Sequence, residues 1–284
     1  MAGEGAESKR TSRAGRNLPA ALIVGSALFA LVVAGLLWWP PGVVLLMAVL
    51  VILGASEVAH ALRRAGLNAT VVPAALGSAA IVIATYVDAR WPGGTWGVVH
   101  WAVVGGAVIW CLLWRMAKGA EGYARDVAAS VFILGYLGVL ASFIVALLAM
   151  PEGNWKLATA FCCVVGSDTG GYLLGATLGK HPMAPKISPK KTWEGMAGSL
   201  ILGSAVGVVM SVFLLGREWW FGLALAVLMV VAGTFGDLVE SLIKRDVGLK
   251  DMSSVLPGHG GIMERLDSML VAVPVAWLVF SLPL

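Results

Sequence analysis

The sequence predicts an all-α, polytopic integral membrane protein of about nine transmembrane helices, its N-terminus in the cytoplasm and its C-terminus outside. Three observations carry that expectation. Of 284 residues, 59% are hydrophobic and only 13% charged, where a soluble globular chain has about half and about a quarter; mean hydropathy is +0.87. The apolar residues come in long blocks separated by short polar connections. Lysine and arginine crowd into alternate connections, as they do in spanning proteins. The same composition excludes disordered, collagen-like and coiled-coil chains.

A spanning helix needs about 20 mainly apolar residues to cross a hydrocarbon core near 30 Å. Nine blocks meet that requirement, at 18–38, 42–62, 70–87, 95–114, 127–150, 155–178, 195–215, 218–243 and 266–283. The first is no cleavable signal, because it lacks a small-residue cleavage site and another span follows at once. Pro40-Pro41-Gly42, Trp91-Pro92-Gly93-Gly94 and Pro151-Glu152-Gly153 punctuate the short connections. No internal repeat is visible, so an inverted-repeat transporter gains no support. The expected organisation is a disordered basic cytoplasmic tail (1–17), five N-terminal spans (18–150), and a C-terminal membrane region (151–284) that carries the chemistry in two cytoplasmic loops.

The formal charge is a modest +4, so its placement matters more than its sum. The tail and the second, fourth, sixth and eighth connections hold seventeen of the twenty lysines and arginines, leaving Arg90, Lys156 and Arg217 opposite. That asymmetry sets the orientation. Cys111, Cys162 and Cys163 lie in apolar blocks and offer neither a disulfide framework nor a CxxC spacing.

The sixth connection runs from Gly179 to Thr192, with Lys180, Lys186, Lys190 and Lys191 set among three stiffening prolines. Ser188 and Thr192 precede a new helix, whose first amides would face an anion. Cytoplasmic loops are basic in any case and attract anionic lipid. Stiffness plus hydroxyls at a helix start tips the reading towards phosphate. The preceding span carries Gly166-Ser167-Asp168-Thr169-Gly170-Gly171. An aspartate at membrane depth costs about 3 kcal/mol and needs a partner or a watery cavity.

On the eighth span, Asp237, Glu240, Ser241 and Lys244 fall at i, i+3, i+4 and i+7 and share one helix face. A local Glu240–Lys244 pair explains two of them and leaves Asp237 unexplained. The eighth connection includes Lys250, Asp251, His259, Gly260 and Gly261, and the ninth span opens with Glu264, Arg265 and Asp267. Glycines beside His259 let backbone approach a ligand closely. Carboxylates from separate helices suit Mg²⁺, a hard cation usually completed by substrate phosphates and water. His60, His100, His181 and His259 are too scattered for zinc. His60 with Glu57 one turn earlier reads as a local helix pair or as a wall of the polar cavity. Residue chemistry alone therefore points to a metal-assisted reaction on a phosphate at the inner membrane surface.

Residues 241–267, S-L-I-K-R-D-V-G-L-K-D-M-S-S-V-L-P-G-H-G-G-I-M-E-R-L-D, closely resemble the signature of the phosphatidate cytidylyltransferases, the CDP-diacylglycerol synthases. S-D-T-G-G-Y-L-L-G, then G-K-H-P and I-S-P-K-K-T-W-E-G, resemble the second block of that family, so the likeness covers roughly 166–268. One position departs: Glu264-Arg265-Leu266-Asp267 stands where the family reads D-R-x-D. The resemblance implies transfer of CMP from CTP to phosphatidic acid, giving CDP-diacylglycerol and pyrophosphate for phospholipid biosynthesis. The enzyme would be Mg²⁺-dependent, in the cell's inner membrane, with its active site facing the cytoplasm.

By the same resemblance Asp237, Glu264 and Asp267 are metal ligands, and Asp168 is a fourth catalytic acid. Lys186, Ser188, Lys190, Lys191, Thr192, Ser241, Lys244, Arg245, Lys250 and Arg265 would bind the phosphates. His259, Gly260 and Gly261 would shape the nucleotide side, while Glu240 and Asp251 orient the bases. Glu264 extends its carboxylate by one methylene beyond aspartate, which predicts a loosened Mg²⁺ site that Glu264→Asp tightens. The resemblance leaves room for Mn²⁺ as a substitute, for a second, monovalent cation and for a homodimer. Membrane lipids are the expected surroundings, and nucleic acid is no partner. Two rivals stand beside this reading. A CTP-dependent lipid-alcohol kinase would transfer the γ-phosphate, and a cation-coupled transporter would use Asp168, Asp237 and Asp267 as an ion pathway.

Overall fold

Each of the nine apolar blocks coincides with a helix in the computed structural model, which describes residues 18–91, 97–249, 251–253 and 261–283. The helices are α1 (Leu18–Trp38), α2 (Pro40–Arg64), α3 (Val71–Arg90), α4 (Val98–Met116), α5 (Tyr123–Leu148), α6 (Gly153–Leu178), α7 (Trp193–Leu215), α8 (Trp219–Asp246) and α9 (Met263–Ser281). Seven of these, α2 to α8, are long and apolar enough to cross a membrane. The ninth carries Glu264, Arg265 and Asp267 in its first two turns, which bring charge into an otherwise apolar helix. The expected tail, residues 1–17, lies outside the described residues.

The outer surface fits a lipid solvent. Phe29, Ile201, Phe213 and Phe235 are well exposed on helix flanks. Trp38, Trp39, Trp91, Trp155, Trp193 and Trp219 are exposed at or beside helix ends, where amphipathic rings settle at a membrane–water boundary. Inside, Ile133, Leu137, Ile144, Leu157, Met229 and Leu270 are fully buried among helices.

Small residues decide which helices touch. A Cβ placed on Gly170 of α6 would lie 2.2 Å from the Gly198 carbonyl oxygen of α7, so these two backbones approach as only glycines allow. A Cβ on Gly236 of α8 would lie 2.4 Å from the Asp267 carbonyl oxygen of α9. That second contact sets Asp237, one residue on, beside the turn that bears Asp267.

Two features depart from uniform helix. Within α5, residues Leu134–Val139 form a π-helical turn, a geometry frequent at functional sites. In the sixth connection, β1 (Pro182–Ala184) and β2 (Ser188–Thr192) pair antiparallel, with Pro182 opposite Thr192 and Ala184 opposite Ser188. The fold is all-α as expected, with this small ribbon as an addition among the described residues. The sequence hid it because the strands are polar and carry no apolar alternation. On a ribbon of only two strands, prolines can sit where no ladder donor is needed.

Candidate active site at the polar ends of four helices

The site is assembled where α6 ends, α7 begins, α8 ends and α9 begins. Thr192 caps α7, its hydroxyl oxygen accepting from Gly195 N at 3.1 Å, so this hydroxyl is engaged by the helix it precedes. The ribbon holds Lys190 and Lys191 over the opening between helices. Lys191 reaches Asp237, Nζ to Oδ2 at 2.5 Å, and lies 3.4 Å from the Thr234 carbonyl oxygen. Arg245, near the end of α8, donates to the Ile187 carbonyl at 3.3 Å and fastens that helix to the ribbon.

Asp237, Glu240 and Asp267 converge: one carboxylate oxygen from each lies within 4.8 Å of the others. Two lysines stand against these three acids. Lys191 pairs with Asp237, and Lys244 pairs with Glu240 at 2.5 Å. Asp267 Oδ1 accepts from Ser268 N at 2.6 Å. Glu240 is 1% exposed, and its Oε1 has no hydrogen-bond partner among the described residues. Tyr136, on the π-turn of α5, is also buried, its hydroxyl without a partner among the described residues, within electrostatic reach of Asp237, Glu240 and Asp267. An oxygen-only cluster of like charges with an orphaned carboxylate oxygen fits a hard divalent cation.

Glu264, expected beside Asp237 and Asp267, stands next to the trio, sharing Lys244 with Glu240, but bonds to backbone. Its Oε1 accepts from Met252 N at 2.7 Å and its Oε2 from Gly261 N at 2.5 Å, with Lys244 Nζ 3.7 Å away. The place it was expected to hold in the acid cluster is occupied by Glu240, which the sequence reading cast as an orienting residue. Ser241 is buried under the same face of α8, and Lys186 and Asp251 are exposed. Lys250, His259 and Gly260 lie outside the described residues.

Two cavities flank α6. A polar cavity of about 210 Å³ is lined by Asp168, Lys190, Lys191, Thr192, Ser199 and Asp237, among others. A larger apolar cavity of about 690 Å³ lies among α1, α2, α6, α7 and α9, with Arg265 on its lining. Successive residues of one stretch of α6 serve both. Val164, Ser167 and Asp168 face the polar side, whereas Cys162, Val165 and Thr169 face the apolar side. The helix is the wall between them.

Sequence reasoning missed Glu57 and Tyr136. Glu57 was read beside His60, but His60 Nδ1 lies 2.6 Å from the Ser56 carbonyl oxygen, and Glu57 turns towards the start of α9 instead. The signal available was an acid inside an apolar block with no lysine or arginine a turn away. Tyr136 gave no signal, since a π-turn has no sequence period of its own.

A model of the cytidylyltransferase family matches residues 18–282. The chain is 40% identical to the phosphatidate cytidylyltransferase of Mycobacterium bovis, over 96% of this chain and 91% of that protein. It is 38% identical to the one from Mycobacterium leprae, over 97% of this chain and 91% of that protein. With the one from Staphylococcus saprophyticus it shares 39% identity over 150 residues, 52% of this chain and 57% of that protein.

Proposed function

The chain belongs to the cytidylyltransferase family, and from that premise we propose that it transfers CMP from CTP to phosphatidic acid, releasing pyrophosphate and leaving CDP-diacylglycerol. The observation that carries this reading is the pair of cavities sharing α6. One has a mixed lining, with lysines for phosphates and aspartates for a cation; the other is almost wholly apolar and sized for part of a lipid. A substrate with a phosphate at one end and acyl chains at the other matches that division.

An oxygen of the lipid phosphate forms a bond to the α-phosphorus of CTP. The bond from that phosphorus to the bridging oxygen of the β-phosphate breaks, and pyrophosphate carries the electron pair away. The lipid phosphate is already ionised near neutral pH, so no strong general base is required. Lys190 and Lys191 offset charge spread over the phosphoryl oxygens, an effect that a water-poor cavity strengthens. Lys191 also holds Asp237, and Lys244 holds Glu240, which keeps the acids in place while like charges crowd.

Asp237, Glu240 and Asp267 would hold Mg²⁺, or Mn²⁺ in its place; their oxygen-only donors and the unpartnered Glu240 Oε1 support the fit. Such an ion supplies neutralisation of phosphate charge and orientation of the phosphates. Asp168 stands across the polar cavity, within electrostatic reach of Lys191 and Arg265, where it orients these bases. Counting α1 and α9 as spans makes nine. The seventeen-to-three division of basic residues supports a site on the cytoplasmic face of the inner membrane.

The test uses membrane vesicles containing the full chain and phosphatidic acid, with CTP labelled at the α- or the γ-phosphorus. Label from the α position should enter lipid, and only when CTP reaches the cytoplasmic face. Incorporation of the γ label would make the protein a lipid kinase, and no incorporation at all would overturn the enzymatic reading.

A further inference from the structure

Glu57 is a buried acid that nucleotidyl transfer does not by itself explain. It lies in α2 and is 6% exposed, and a carboxylate so placed is costly unless its oxygens are bonded. They are bonded, by donors far along the chain. Oε1 accepts from Ser253 Oγ at 2.5 Å and from Ile262 N at 3.0 Å, and Oε2 accepts from Met263 N at 3.0 Å. These residues are separated from Glu57 by 196, 205 and 206 positions.

Glu264 completes the arrangement from the other side, accepting from Met252 N and Gly261 N. Two carboxylates thus collect four backbone amides and one hydroxyl from the short stretches 252–253 and 261–263. Gly261 sits between them: a Cβ there would lie 2.6 Å from Glu264 Oε2 and 2.8 Å from Glu57 Oε2. Any side chain there would have to push both carboxylates aside. Their mutual repulsion is offset by Lys244, 3.7 Å from Glu264, and by the amides at the start of α9, which favour negative charge.

Met263 opens α9, and Asp267 lies one turn further on. Whatever fixes the first residues of α9 therefore fixes where Asp267 stands against Asp237. We propose that Glu57 is a positioning residue for the transfer, seating the start of α9 on α2 so that the acids of α8 and α9 meet. The inference rests on the reading of Asp237, Glu240 and Asp267 as the catalytic cluster. Its sensitivity is high, because a misplacement near 1 Å can cost about a hundredfold in rate.

Glu57→Gln keeps the size and one acceptor oxygen but turns an NH₂ group towards an amide donor. In the full-length protein, kcat should fall about ten- to a hundredfold, with the CTP KM changed by less than about threefold and the unfolding temperature near that of the parent. His60→Ala, one turn on and, among the described residues, bonded to Ser56 of its own helix, should leave kcat and KM unchanged. The decisive measurement is a double-mutant cycle. If Glu57 acts through Asp267, Glu57→Gln should add little in an Asp267→Asn background. An unchanged kcat in Glu57→Gln, or full additivity with Asp267→Asn, overturns the proposal. If Glu57→Gln does not accumulate, Ser253→Ala removes one of the three donors and should lower kcat severalfold at unchanged KM; no loss there overturns it equally. The labelling result with the parent protein stands apart, so failure here leaves the proposed function intact.

Discussion

Arg115 with Asp126 and the trio Asp237, Glu240 and Asp267 both bring charge into buried parts of one helical molecule, and they are built in opposite ways. Arg115 Nε donates to Asp126 Oδ2 at 2.9 Å, Nη1 to the Gly119 carbonyl and Nη2 to the Glu121 carbonyl. The other oxygen of Asp126 accepts from Asn68 N at 2.8 Å. Opposite charges are matched, and the network ties the approach to α3 to the end of α4 and the start of α5. In the trio like charges are gathered, two lysines serve three acids, and Glu240 Oε1 has no partner among the described residues. A closed network holds the fold. An open one, costly to bury, is what the cation site proposed above would need.

The largest effects should separate these two regions outright. Asp267→Asn should lower kcat by more than about a hundredfold while leaving thermal unfolding near that of the parent. Asp126→Asn should do the reverse. Leaving Arg115 buried without its anion should cost about 3–5 kcal/mol of stability, and the folded fraction should turn over at the parent rate. Unfolding curves and initial rates on the same preparations decide it; an equal loss of kcat in both variants would erase the distinction. Next in size, Lys191→Ala removes a charge-assisted contact worth about 1.5–3 kcal/mol, a loss of roughly ten- to a hundredfold in rate. Arg63→Ala, exposed at the end of α2, should matter far less when assayed alongside.

The smallest effect sharpens the boundary of the open cluster. Glu264 uses both oxygens on the Met252 and Gly261 amides, so Glu264→Asp should withdraw from one of them and lower activity about two- to tenfold. A rise in activity at limiting Mg²⁺ would instead return Glu264 to the metal-ligand role that the family resemblance implies.

The helices were legible because crossing a bilayer demands length and apolarity, and both are local properties of the chain. All nine blocks became helices, and the i, i+3, i+4, i+7 spacing put Asp237, Glu240, Ser241 and Lys244 on one polar-lined face of α8. What the spacing cannot carry is which acid meets which across helices. Glu240 rather than Glu264 joins Asp237 and Asp267 because Gly236 lets α8 close against α9, and because Glu264 is taken up by nearby backbone. The ribbon at 182–192 was hidden by its polar residues. Glu57 was misread because its partners lie some two hundred residues away, and sequence proximity offered His60 instead.

The shared wall of α6 has a consequence for how this protein meets its substrates. One cavity opens among residues suited to a dissolved nucleotide and the other among residues suited to hydrocarbon, so the two reactants arrive from media of different dimension. CTP is counted per litre of aqueous solution. The lipid is counted per unit of bilayer area, since its acyl chains stay within the plane that α1, α2 and α6 border. Diluting a membrane with inert lipid then slows the reaction even when the amount of phosphatidic acid in the vessel is unchanged.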